Sequence, residues 1–399
     1  MDAYIARLPV FDVAGNVFAY SVPYRTEENG TIEYVTPDSE ETNKLFDFDV
    51  RRLVGKSRAF IYFSDEMLRA RLPLFFSRDI LTVCVHANQL ENAGIMNICR
   101  DLKERGFMIA LEDFEYSKAY DEIFRFADVV EIDFKKPHKS IEETAYVCRY
   151  ANKLMVAANI ETRDEYEYAK RLGCTFMQGF FFAKPEIDPE NGFRPLPASI
   201  VNTMQILSQK DAEIEDVVNA LSVDSAVCQR LLRLINSVYF GFTQKIASIN
   251  QAIVVLGLDY LREWIYLMAV QKMLNNDSPE ATKMSLLMAK FCRKIALMIP
   301  EGAKKPESFY LMGLLSMVVF CGESVLVKAL DEFPITFDIK KGLLRKGGLY
   351  SDVFEMAFDY LQADWDKFEE IASMYNIGIK EISEGFAECA EEVEQAQMN

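Results

Sequence analysis

The sequence predicts two fold classes in one chain, an α/β barrel on the N-terminal side and an all-α domain on the C-terminal side. Three observations carry this. Short apolar segments alternate with charged helical runs as far as residue 182. Four of the thirteen prolines then crowd into residues 184–199. Beyond them, apolar residues recur only at helical spacing.

The strand candidates are AFIYF (59–63), LTVCV (81–85), FMIAL (107–111), VVEIDF (129–134), LMVAA (154–158) and TFMQGFFF (175–182). Each is short and rich in β-branched or aromatic residues. Runs such as NICRDLKERG (97–106) and RDEYEYAKRLG (163–173) separate them. Strands spaced by helices imply parallel βα units, and this many units in about 185 residues favours closure into a barrel. Gly106 and Gly173 each follow a helical run, where a left-handed cap ends a helix. Phe180, Phe181 and Phe182 form a continuous apolar run, as in a strand covered on both faces.

The proline-rich stretch KPEIDPENGFRPLPAS reads as a linker, which divides the chain into domains of residues 1–190 and 191–399. In the second, Val227, Leu231, Leu234, Ile235 and Val238 fall on one helical face. Ser248 and Asp259 are placed as N-caps and Gly257 as a stop. The segment from Glu381 onward holds six Glu and no Lys or Arg, which reads as a solvated helix end or frayed tail.

Composition excludes several function classes. Asp and Glu number 61 against 44 Lys and Arg, a formal net charge of −17, which argues against nucleic-acid binding. The longest uncharged stretches, such as 308–322, fall short of the roughly 20 residues that span a bilayer. The N-terminus lacks an apolar signal core, and eight cysteines are scattered without a C-x-x-C pair. Both point to a cytoplasmic protein with reduced thiols and no membrane partner. The two histidines, His86 and His138, lie in the first half, so imidazole catalysis and histidine metal clusters are excluded from everything after residue 138.

Six segments, in order, carry a resemblance to a known family. They are AYSVPYR (19–25), FIYFSDEML (60–68), GFMIALEDF (106–114), DVVEIDF (128–134), AANIET (157–162) and LGCTFMQGFFFAKP (172–185). Together they resemble the EAL domain, a TIM-like barrel known as a phosphodiesterase for cyclic di-GMP. The segments RLLRLINSVYFGFTQKIASINQAIVVLGLDYLREW (230–264) and FYLMGLLSMV (309–318) resemble the HDOD domain, an HD-related helical output domain. The tandem is similar to a bacterial signalling architecture.

The EAL resemblance implies a two-metal site of carboxylate and amide oxygens at the strand ends. Position by position, Ser21 stands at the opening Glu, Tyr62 at an Asn ligand, Glu131 at a Lys and Ala158 at a Glu. Where a further ligand Glu is implied, at residues 83–86, Val83, Cys84, Val85 and His86 stand. The residual site positions are Arg25, Glu112 (in place of an Asp), Asp113, Glu161 and Gln178. These departures predict a degenerate EAL domain with no catalytic residue, metal or cofactor. The chain is thus expected to be no enzyme, but a signal-transduction protein acting through protein–protein contact. Its partners are unidentified signalling proteins, with pairing into a homodimer implied by the family's habit.

Two other readings stay open. Arg25 and Gln178 are suited to bind cyclic di-GMP without hydrolysis, with Arg25 on a phosphate rather than in an ion pair with Asp113. Glu112, Asp113 and Glu161 are suited to weak hydrolysis. In INSVYFG, Asn236, Ser237 and Gly241 read as packing and turn residues.

Overall fold

The structure, a computed structural model, describes residues 3–26, 50–179, 195–209, 211–237, 245–274, 279–321 and 323–397. The N-terminal strands are β1 (Ala3–Ile5), β2 (Leu8–Asp12), β3 (Val17–Ser21) and β4 (Tyr24–Thr26). They are followed by β5 (Arg58–Tyr62), β6 (Leu81–Val85), β7 (Met108–Leu111), β8 (Val129–Asp133), β9 (Leu154–Ala158) and β10 (Phe176–Gln178).

Eight of these strands close a barrel in the order β10-β2-β3-β5-β6-β7-β8-β9. Strand β2 runs antiparallel to both its neighbours, and every other pairing is parallel. The C-terminal ends of the seven co-directional strands therefore gather at one mouth, where α/β barrels build their sites. All eight strands contribute to one interior layer of Val10, Ala19, Phe60, Cys84, Ala110, Val129, Val156 and Phe176. Strand β6 is buried at all five positions, as expected when helices cover one face and the barrel interior the other.

The barrel helices end as the sequence predicts. Thr162 and Glu165 form a reciprocal capping box at the start of Arg163–Leu172, and Gly173 closes that helix in the left-handed conformation at φ +87°. Strand β10 confirms the start of the last strand candidate, whereas Phe180, Phe181 and Phe182 lie outside the described residues. So does the linker as far as residue 194.

The chain divides into two compact units, and the division is not a single cut near residue 190. One unit is Met1–Ala183 together with Asp359–Glu391; the other is Lys184–Phe358 with Glu392–Asn399. Residues 359–391 join the barrel unit because its β1–β4 sheet offers them an apolar and polar seat. The Tyr360 hydroxyl donates to the Ile5 carbonyl at 3.1 Å. Tyr4 stacks on Trp365 with ring centroids 5.3 Å apart. The acidic end is likewise no frayed tail. It forms the helix Ile379–Gln397, in which Ile382, Phe386, Ala390 and Val393 are buried at helical spacing.

Among its described residues the second unit holds helices joined by turns and no strand. Ser225–Ile235 is capped by Asp224, Ile249–Leu256 by Ser248, and Gly257 ends the latter at φ +79°. Leu258–Leu274, Pro279–Met298 and Pro306–Leu314 follow. Asn236 acts as a staple: its amide donates to the Leu232 and Ile246 carbonyls, and its oxygen accepts from the Ile246 N–H at 2.8 Å. Gly241 lies outside the described residues. No described helix is long and apolar enough to cross a membrane.

Candidate functional site at the barrel mouth

The strand ends bring together most of the sequence-predicted positions. Glu112 and Asp113 follow β7, Glu131 lies within β8, Ala158 closes β9 with Glu161 three residues on, and Gln178 closes β10. Ser21 and Tyr62 close β3 and β5.

Glu112 and Glu131 stand half-buried beside one another at the mouth. Burial is the largest influence on both and raises both acids, Glu112 to about 7 and Glu131 to about 8. The Glu112 charge raises Glu131 further, and the Cys84 thiol hydrogen-bonds the Glu112 carboxyl, which offsets part of its rise. A carboxyl held neutral near pH 7 is a proton donor rather than a fixed charge.

Charged groups stand around this pair. Lys136 contacts Asp113 at 2.7 Å and Glu115 at 2.9 Å, while Lys135 reaches Glu161 at 3.4 Å. Asn159 donates to Asp133 at 2.8 Å. Asp113 and Asn159 both adopt positive φ, at +49° and +61°, a strain of the sort that gathers at functional sites. Lys135 and Lys136 were missed from sequence. Their signal is the KKP run directly after β8, which places two cations at the mouth although Glu131 stands where the family has its Lys.

The remaining positions divide. His86, at the end of β6, lies against the Tyr62 ring at 4.9 Å, and its Nδ1 is 3.4 Å from the Glu112 carbonyl. Ala158 is buried. Gln178 accepts the Ile160 N–H through its backbone carbonyl at 3.0 Å. The next residue must be glycine, since a Cβ on Gly179 would sit 2.2 Å from the Ile160 carbonyl oxygen.

Arg25 does not join the mouth cluster, contrary to the sequence reading that gave it to a phosphate or to Asp113. Its buried guanidinium binds Asp366 at 2.7 Å and Glu369 at 3.2 Å. The sequence could not show this, because its partners lie some 340 residues away in a helix that packs on the barrel unit.

The carboxylates as placed do not make a ready cation cage. Among the described residues, no three His, Cys, Asp or Glu side chains converge on one point. Asp113 and Glu161 point to lysines, and Asp133 to an amide.

The described residues thus make up a closed α/β barrel with a charged strand-end mouth and a helical unit. Comparison with known families gives the particulars. Residues 74–185 match the EAL domain and residues 194–335 the HDOD domain, so the chain is an EAL–HDOD tandem protein. Two relatives align over nearly all of it. The uncharacterized protein YuxH of Bacillus subtilis is 26% identical over 94% of this chain and 94% of its own length. The cyclic di-GMP phosphodiesterase CdgJ of Vibrio cholerae is 25% identical over 97% of this chain and 91% of its own length. A solved structure of the PaMucR phosphodiesterase in complex with c-di-GMP is 17% identical, with a TM-score of 0.35, and covers 46% of this chain and 92% of that one.

CdgJ overturns one expectation. A relative that spans 97% of this chain carries the name of a phosphodiesterase, so substitution at Ser21, Tyr62, Glu131 and Ala158 does not license the conclusion that the chain is no enzyme. Near Glu131, which stands where the family has its Lys, the mouth carries two other cations, Lys135 and Lys136.

Proposed function

We propose that this chain is a cyclic di-GMP signalling protein whose barrel takes the dinucleotide at its C-terminal mouth. The observation that carries the reading is the mouth itself. Lys135 and Lys136 offer phosphate-binding ammonium groups beside the half-buried Glu112–Glu131 pair. Each lysine is engaged by carboxylates, and an incoming phosphate competes for those bonds. Gln178 and Glu161 stand on the neighbouring strand ends as hydrogen-bonding groups for the ligand. Hydrolysis of the bound dinucleotide is the activity we carry over from CdgJ, which aligns across both units. The helical unit relays the state of the barrel to signalling-protein partners, and a second copy of the chain is one candidate. The described cysteines are free thiols, consistent with the cytoplasmic placement included in this reading.

The test is fluorescence anisotropy with labelled cyclic di-GMP on the full chain and on the double variant Lys135→Ala/Lys136→Ala. Saturable binding that weakens at least about tenfold in the variant supports the mouth as the site, corresponding to about 1.4 kcal/mol. Equal affinity of both proteins places the ligand elsewhere and refutes the assignment.

A further inference from the structure

The helical unit carries a cleft of about 710 Å³, open to solvent on one side and within the size range of small-molecule sites. It lies among Ser225–Ile235, Leu258–Leu274, Pro279–Met298 and Pro306–Leu314, with Glu392, Val393 and Gln395 of the last helix also in its wall. Its apolar lining includes Leu234, Leu267 and Leu286, against which a few polar groups stand out.

Glu263 is one of them. Its Oε2 accepts the Tyr310 hydroxyl at 2.9 Å. Burial raises Glu263 and Tyr310 alike, while Lys290 and Arg293 act to keep the carboxylate charged. A carboxylate has about four acceptor positions, so the bond from Tyr310 leaves capacity for further donors. Trp264 lines the same cavity. Two cations complete it. Lys290 is bonded to Glu392 at 2.6 Å, and Arg230 brings a guanidinium from the neighbouring helix.

A carboxylate, an aromatic ring and a guanidinium in one cavity select a definite chemistry. The Watson–Crick edge of guanine presents two adjacent N–H donors, which match the two oxygens of a carboxylate. Adenine presents a ring-nitrogen acceptor there, which the carboxylate repels. Indole faces stack on bases, and guanidinium groups bind phosphate in bidentate fashion. We propose that this cavity is a guanine-nucleotide site, with the base edge on Glu263, the ring on Trp264 and the phosphate on Arg230. It is separate from the barrel mouth and does not rest on the reading given for that mouth.

The test uses the full chain with GTP and GMP against ATP and AMP, followed by tryptophan fluorescence and by calorimetry. The chain has two tryptophans, and Trp264 is the one that lines this cavity. GTP should quench saturably and bind at least about tenfold more tightly than ATP. Glu263→Gln, which keeps the shape and an oxygen for Tyr310, should erase the preference of GTP over ATP. Arg230→Ala should weaken GTP at least about tenfold and weaken GMP too. Thermal melts of both variants check that the helical unit is intact. Absence of saturable GTP binding, equal affinity for GTP and ATP, or unchanged GTP affinity in both intact variants would each overturn the proposal.

Discussion

Replacing Arg25 with Met separates a structural arginine from a ligand-binding one. The motif comparison assigns Arg25 to the ligand; the structure assigns it to Asp366 and Glu369 at 2.7 and 3.2 Å. The guanidinium is only 8% exposed, but Asp366 is 84% exposed and Glu369 40%. Both carboxylates can therefore rehydrate when the arginine goes, so the penalty of a stranded buried charge is largely avoided. Exposed pairs contribute up to about 1 kcal/mol each, which puts the total cost at about 1–2 kcal/mol. For a unit of some 200 residues that lowers the melting temperature by about 3–6 °C. The assay is thermal unfolding followed by tryptophan fluorescence. Trp365 stacks on Tyr4 in the same unit, so it reports the contact. Cyclic di-GMP affinity should stay within about twofold of the parent value, a difference below about 0.4 kcal/mol. An unchanged melt together with a tenfold loss of affinity would refute the assignment.

Three further outcomes follow from the same geometry. Glu131 holds a proton in the folded state up to about pH 8, whereas the unfolded chain releases it near the ordinary carboxylate value. The folded state thus binds more protons over that interval, so stability falls as pH rises from about 5 to 8. Glu131→Gln should flatten this fall in urea melts at pH 5.5 and pH 8.0, and identical slopes for the two proteins would contradict it. Gly179→Ala places a Cβ against the Ile160 carbonyl oxygen. It should cost about 2 kcal/mol in chemical denaturation, and a neutral result would show that the Gln178–Gly179 turn is not closely packed. Tyr360→Phe removes the bond to the Ile5 carbonyl. It should cost about 1–3 kcal/mol, and a silent substitution would contradict the inclusion of 359–391 in the barrel unit.

The legible parts of this molecule are the local ones. Strands β5 to β9 stand almost where their apolar runs lie, because a parallel strand covered on both faces writes its burial directly into the sequence. Gly173 likewise marks the end of one helix through the chemistry of caps, whereas the Thr162 cap at its start came from the structure. The β2–β3 hairpin that completes the barrel was less visible, since these strands are part-buried at three of five positions. What the sequence hid is long-range. Nothing local to Tyr360 or Trp365 announces that they pack on residues 4 and 5. Nothing local to Arg25 announces Asp366. The acidic run after Glu381 reads as solvated because its charges dominate the composition, whereas the apolar stripe of Ile382, Phe386, Ala390 and Val393 is what anchors it. At the mouth, residue-by-residue comparison with the family recorded what had changed. It could not weigh the groups standing next to the changed positions, such as Lys136 at 2.7 Å from Asp113.

The most direct test of the central claim is calorimetric titration of the full chain with cyclic di-GMP in the presence of Mg²⁺, with the cell contents analysed afterwards for the linear dinucleotide. The account predicts saturable heat in the micromolar range and accumulation of the linear product. No heat at ligand concentrations up to about 100 μM, with the dinucleotide recovered intact, would contradict it.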